Sequence, residues 1–217
     1  MTALGRPRLH HREIDSTNRR ARELASAGAP HGTLVTATAQ TAGRGRQGRR
    51  WEAPAGSALL CSIVLREFDA LLSLRAGLAV ADVAGEAARV KWPNDVQVDG
   101  RKVAGVLVEG RPHEGWAVVG IGVNVSAAPD LPEAAALGRD DVEGVLAELL
   151  RALEARLAEP KAAALDALRA RDALLGVRIS WDGGEGVGAG IDADGGLRVR
   201  TDSGERVLSA GEVHLER

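Results

Sequence analysis

The stretch best suited to chemistry is Gly43-Arg44-Gly45-Arg46-Gln47-Gly48-Arg49-Arg50-Trp51, which sets four arginines in a glycine-rich loop. No acidic residue occurs between Glu23 and Glu52, so this positive charge is locally uncompensated and an anion is expected there. Guanidinium groups grip carboxylates and phosphates through paired hydrogen bonds, and flanking glycines permit close backbone approach. Such a loop suits closure over a bound anion. Gly43 to Gly48 formally fits G-x-G-x-x-G, but that pattern needs a helix directly after its last glycine to receive a pyrophosphate. Trp51-Glu52-Ala53-Pro54-Ala55-Gly56 is a poor helix start, which argues against dinucleotide binding. No G-x-x-x-x-G-K-[ST] phosphate loop is present either.

Scarce residue types mark further positions. Of 28 cationic side chains only three are lysines, and two of these, Lys91 and Lys102, stand beside turns marked by Pro93 and Gly100. A compact ammonium is not interchangeable with a guanidinium where it must fit a pocket. Asn18, Asn94 and Asn124 are the chain's three asparagines, each beside a turn or strand edge. Trp92 and Pro93 read as structural, fixing the turn that presents Asn94 and Asp95. Cys61 and Phe68 read as core, and Lys161 as surface.

The elements that must position these groups follow from pattern. Ser16 or Thr17 can cap a helix over Arg19 to Ala27. Thr33 to Gln40 is rich in β-branched residues and reads as a strand, and Ser57 to Arg66 as a buried one. Leu71 to Arg89 carries apolar residues at helical spacing. Val96 to Val98 and Lys102 to Glu109 flank Asp99-Gly100 and predict a hairpin. Trp116 to Val125 is a further strand. Asp140-Asp141-Val142-Glu143 resembles a capping box, ahead of an amphipathic helix that Pro160 interrupts and Ala162 to Leu175 resumes. From Gly176 the pattern turns to short strands: Val177 to Trp181, Val187 to Ile191, Leu197 to Thr201 and Arg206 to Leu208. The expectation is an α+β fold: a mixed sheet backed by helices over residues 1–175, then a small β-barrel over 176–217.

Composition bounds the function. With 217 residues, 45% of them hydrophobic, the chain can bury a substantial core. A net charge of −2 argues against a protein built wholly for nucleic acid. No apolar run reaches the roughly 20 residues of a membrane helix, and a lone cysteine excludes an internal disulfide. A cytoplasmic location is the resulting expectation. The five histidines and Cys61 lack metal-ligand spacing.

Taken together, several segments resemble the biotin–protein ligases: Ser16-Thr17-Asn18, Gln40 through Trp51, Lys91-Trp92-Pro93-Asn94-Asp95, Arg101 through Glu109, and Gly120-Ile121-Gly122-Val123-Asn124-Val125. Order and spacing agree over residues 10 to 130, and the terminal strands resemble that family's SH3-like domain. The resemblance implies a class II synthetase-like catalytic sheet. It also implies an ATP-dependent ligase that makes biotinyl-5'-AMP and passes biotin to a lysine of a biotin carboxyl carrier domain. Ser16, Thr17, Asn18, Gln40, Arg44, Gly45, Arg46, Lys102 and Gly105 would hold biotin. Arg46, Arg49, Trp51, Lys91, Asn94, Asp95 and Asn124 would lie on the ATP side, and Lys102 and Arg46 would be catalytic. Magnesium would accompany ATP, with its ligands unassigned.

The family's ureido ring needs polar partners on burial. Its first step brings a carboxylate to an α-phosphate, so fixed positive charge and water exclusion are required. The sequence also departs from the family pattern. Thr38 replaces a frequent acidic residue. With 2% aromatic residues, packing around the ligand rings falls to Trp51, Trp92, Trp116 or aliphatic groups. Ser16 lies too near the start for a preceding DNA-binding domain, so a ligase without DNA binding is expected, as monomer or homodimer. Two other readings compete: a lipoate or octanoate ligase or transferase of similar fold, and a nucleic-acid binder using the arginine loop. The last would bind in a salt-dependent manner without biotin.

Overall fold

The computed structural model describes residues 4–215. Strand β1 (Arg8–Ile14) leads through helix α1 (Thr17–Ser26) to β2 (Leu34–Gln40). The two strands run parallel, in register from Arg8 with Leu34 to Ile14 with Gln40. This crossover brings the first residues of α1 and the last residue of β2 to one end of the sheet. Ser16 is the N-cap, its hydroxyl oxygen accepting from the Arg19 amide, the interaction that Ser supplies at helix starts.

β3 (Ala58–Leu65) runs antiparallel to β2 with all eight residues buried. It is followed by α2 (Leu72–Ala84), β4 (Arg89–Lys91), β5 (Asp95–Val98), β6 (Arg101–Arg111) and β7 (Trp116–Asn124). The seven-stranded sheet has the order β1-β2-β3-β7-β6-β5-β4. One face carries α1 through a small cluster of Ala21, Ala25, Val35, Val64, Trp116 and Val118. The other carries α2 and α3 (Val142–Ala158), whose Leu78, Leu149 and Leu153 are fully buried with Ile63 and Leu65. Each such side chain contributes roughly 1.5–3 kcal/mol by leaving water.

After α4 (Lys161–Ala170) come β8 (Arg178–Trp181), β9 (Gly184–Ile191), β10 (Leu197–Thr201), β11 (Gly204–Leu208) and β12 (Val213–Leu215). They form a five-stranded antiparallel sheet ordered β11-β10-β9-β8-β12. It docks on the first sheet. Ile179, Leu197 and Val199 share one core with α2 and Trp92, and the Trp92 indole N–H donates to Gly195 O at 3.0 Å. A Cβ at Gly195 would overlap Leu71, so the turn presses directly on α2. The α+β class and the mixed sheet followed by a small β-domain are as expected.

Several boundaries differ from expectation. The helix expected over Leu71 to Arg89 stops at Ala84, because Gly85 turns to φ 100 and Arg89–Lys91 enters the sheet. β1 and β12 were absent from the sequence reading. The capping box is displaced by one residue: Asp141 is the N-cap and accepts from Gly144 N at 2.8 Å. Glu143 instead holds Arg8 through two contacts of 2.6 and 2.7 Å. No helix among the described residues is long and apolar enough to cross a membrane.

Candidate active site

A cavity opens beside the α1 N-terminus, the concave form that small-molecule sites take. All nine residues expected to hold biotin line it: Ser16, Thr17, Asn18, Gln40, Arg44, Gly45, Arg46, Lys102 and Gly105. A second, more open cavity adjoins it, lined by Lys91, Gln97, Asn124, Leu131 and His214 among others. Arg49, Trp51, Asp95, Lys102 and Glu212 border both. The two candidate ligand sets therefore meet along one seam.

The floor is built from glycine. Gly122 lies between Leu60 of β3 and Gly105 of β6, and Gly120 between Ser62 and Leu107. A Cβ at Gly122 would overlap the Trp51 indole, and one at Gly120 would overlap the Asn18 amide. These two positions need hydrogen as side chain because other groups lie flat upon them. The Lys102 ammonium stands 5.8 Å from the Trp51 ring centroid, within reach of a cation–π attraction.

Polar groups on the floor are linked in series. Gln40 Oε1 accepts from the Thr17 amide at 2.7 Å and from the Thr17 hydroxyl at 3.1 Å. Ser62 Oγ lies 2.8 Å from both Thr17 Oγ1 and Asn18 Oδ1, with one proton to give. Asn18 Nδ2 donates to Glu109 Oε2 at 2.9 Å and to Leu107 O at 3.4 Å. These bonds fix the polarity shown to a ligand. The Asn18 oxygen is the face left to accept, while the Ser16 hydroxyl and Gln40 Nε2 donate to none of the described residues and remain as donors.

The arginine loop is folded. Arg44 and Arg50 form a bridge across it, around a tight turn over Arg46–Gly48. The conformational demand falls on Gln47 and Gly48, at φ 53 and 77, and on Gly43, whose Cβ would meet the Trp51 carbonyl. Gly45 is ordinary extended backbone, φ −116 and ψ −178. The turn departs from dinucleotide-binding geometry, since no helix follows Gly48.

Three of the four loop arginines have side-chain partners. Arg44 reaches Glu109 at 3.2 Å. Arg46 donates to Asn94 Oδ1 at 3.1 Å and to Gly211 O at 2.8 Å, and Arg49 pairs with Glu212. Lys102 Nζ lies 2.6 Å from Asp95 Oδ1, off the hydrogen-bonding direction, so the contact is ionic. Asn94 also donates from Nδ2 to Val106 O at 3.1 Å, spending both ends of its amide on the protein. Asn124 differs. Its Nδ2 donates to Ala135 O, while its buried Oδ1 has no partner among the described residues. Burial holds the Lys91 ammonium below its ordinary pKa of 10.5, partly offset by Asp95.

Of the tryptophans suggested to pack on ligand rings, only Trp51 lines these cavities. Trp92 is buried against the C-terminal sheet, and Trp116 lies in the small cluster beneath α1 with its N–H on Glu114. Cys61 is core, as expected, and burial pushes its thiol up to about 12. Glu109, Glu212, Ser62 and Gly120 escaped the sequence reading. Glu109 closes a recognised motif and Gly120 opens another, but a role for either required knowing which strands are neighbours.

A glycine-floored, cation-rimmed double cavity on a mixed sheet defines the class. The chain belongs to the biotin/lipoate A/B protein ligase family, whose description residues 11–126 match. Residues 183–215 match the biotin protein ligase C terminal domain, which places it on the biotin side of that family. It is 38% identical over 235 residues to the biotin–[acetyl-CoA-carboxylase] ligase of Mycobacterium tuberculosis, covering 94% of this chain and 87% of that relative. To the ligase of the same description from Paracoccus denitrificans it is 37% identical over 233 residues, covering 92% and 96%. Its fold matches the biotin protein ligase of Aquifex aeolicus in complex with biotin and ATP. The TM-score is 0.83 and the identity 29%, over 98% of this chain and 100% of that one.

Proposed function

We propose that the protein is an ATP-dependent biotin–protein ligase whose acceptor is the carrier domain of acetyl-CoA carboxylase or a related carboxylase. The observation that carries this is the junction of the two cavities at Lys102, with a floor polarised as acceptor at Asn18 and donors at Ser16 and Gln40. A cyclic urea offers two N–H donors and one carbonyl, complementary to that set. A dithiolane ring offers neither, which disfavours a lipoate substrate.

Biotin would lie with its ring on Thr17, Gly120 and Leu60 and its carboxylate at Lys102 and Arg46. ATP would lie across Trp51 with its base toward the unpartnered Asn124 oxygen and its phosphates near Arg49 and Lys91. A biotin carboxylate oxygen attacks the α-phosphorus, the bond to the β-phosphate oxygen breaks, and pyrophosphate leaves. Lys102 and Arg46 offset the mutual repulsion of the anions. In the second step the acceptor lysine amine attacks the acyl carbon, loses a proton, and AMP leaves. Lys102, Arg44 and Arg49 exchange an internal carboxylate partner for a substrate anion, and Arg46 exchanges amide and carbonyl oxygens, so positive charge is compensated before the substrates bind.

Among the described residues no group of three or more His, Cys, Asp or Glu side chains is placed to hold a metal. Magnesium would accompany ATP, held by its phosphates and water, and would neutralise charge on the phosphates. Arg44, Arg46 and Arg49 are committed to Glu109, Asn94 and Glu212 around a cavity, which suits a small anion better than a phosphodiester backbone. One free thiol and consumption of ATP fit a cytoplasmic setting. We divide the chain into a catalytic domain, residues 1–175, and a C-terminal domain, 176–217, on the change of sheet after α4. The test is a streptavidin blot of a carboxyl carrier domain incubated with the chain and biotin. Labelling that requires ATP is expected, and no labelling, or labelling without ATP, refutes the assignment.

A further inference from the structure

Glu109 lies outside the residues considered above as ligand contacts, yet two of them, Asn18 and Arg44, depend on it. Its side chain is 19% exposed, at the far end of β6 from Lys102. Oε1 receives Arg22 at 2.9 Å and Arg44 at 3.2 Å, and Oε2 receives Asn18 Nδ2 at 2.9 Å. One carboxylate thus ties α1, the arginine loop and the cavity floor together.

The donor count makes this demanding. Asn18 is 3% exposed and its amide is wedged over Gly120. Two acceptors, Glu109 Oε2 and Leu107 O, face one end of that amide, and the Ser62 hydroxyl faces the other. The NH₂ end must therefore point to Glu109, leaving the oxygen for the ligand. Were Glu109 to present a donor, the amide would turn over and set an N–H against the ligand's own N–H. A buried donor left facing a donor loses the full value of its hydrogen bond.

We infer that Glu109 is a positioning residue that sets the polarity of Asn18, and so makes the floor an acceptor for a ureido N–H. This rests on the biotin reading. Only a group with two acceptor oxygens can serve both the arginines and Asn18. A glutamine has one: Oε1 turns to Arg22 and Arg44, Nε2 turns to Asn18, and the Asn18 amide inverts.

The test uses calorimetric biotin binding to the full chain and three variants. Glu109→Gln raises the Kd about 10- to 100-fold, the cost of one misdirected buried hydrogen bond. Asn18→Asp, which places two carboxylates together, also weakens binding. The double variant Asn18→Asp with Glu109→Gln restores it to within about threefold of the unaltered chain. There the glutamine amide donates to Asp while the second Asp oxygen faces the ligand. Unchanged binding in Glu109→Gln overturns the inference, and so does a double variant no tighter than the singles. Should Glu109→Gln fail to fold, the double variant must still bind more tightly than Asn18→Asp. If the unaltered chain does not bind biotin, the functional reading falls and takes this inference with it. Loss confined to Glu109→Gln without rescue overturns the inference alone.

Discussion

Replacing Lys102 by methionine keeps the aliphatic stem across Trp51 and Gly105 and removes only the charge. A unit charge about 4 Å from another is worth ~4 kcal/mol at an effective dielectric near 20, and loss of one preorganised group at a reacting oxyanion typically costs ~3–4 kcal/mol. Lys102 is 34% exposed and already faces Asp95, so the lower part of that range applies and the adenylation rate falls about 100- to 300-fold. Asp95 then loses its cation. The pair is not fully buried, so the stability loss is ~1 kcal/mol rather than the ~3–5 of a buried pair, or about 2–4 °C in melting temperature. Adding Asp95→Asn removes that penalty. The assay is biotin-dependent exchange of labelled pyrophosphate into ATP, beside thermal melts. Asp95→Asn alone stays within about tenfold of the original rate. The double variant regains the melting temperature but not the rate. Exchange in the double variant within about threefold of the unaltered chain would show that the loss came from an orphaned carboxylate, and the electrostatic role of Lys102 would be refuted.

Other consequences are open to direct measurement. Burial lowers the pKa of Lys91, so the folded state binds that proton less tightly than the unfolded one. Stability from this group should rise with pH between the lowered value and 10.5. Phosphate binding restores the charge, so calorimetry in alkaline buffers of different ionisation heats should show proton uptake with ATP, and Lys91→Met should abolish it. Gly122→Ala puts a methyl group where the Trp51 indole lies. The ring must lift at ~1–3 kcal/mol, and the variant should lose exchange activity while keeping its fold by circular dichroism; near-normal activity contradicts the stacked arrangement. Glu212→Ala frees Arg49, so trypsin should cut the loop several times faster while melting changes by less than ~1 kcal/mol; an unaltered cleavage rate excludes Glu212 as a tether.

What could be read from the sequence followed local rules. β3 was evident from an unbroken buried run and the β5–β6 hairpin from Asp99-Gly100, and every residue assigned by resemblance reached one of the two cavities. What escaped depended on distant partners. β1 reads R-L-H-H-R-E-I, with no fully buried residue, and is a strand only because β2 pairs with it. β4 looked like the end of α2 until Gly85 ended the helix. Asp95 stood in a recognised motif, but the other two carboxylates did not show their roles: Glu109 is 65 residues from Arg44 and Glu212 is 163 from Arg49, so nothing local linked them. The glycines of the loop are plain in the sequence, yet which of them bears the strained conformation depends on where Trp51 folds back.

The most direct test is a crystal structure with a non-hydrolysable analogue of biotinyl adenylate. The account predicts the ureido ring between Ser16, Gln40 and the Asn18 oxygen, the acyl phosphate against Lys102 and Arg46, and the adenine beside Trp51 and Asn124. An analogue bound elsewhere, or with its phosphate remote from both Lys102 and Arg46, would contradict it.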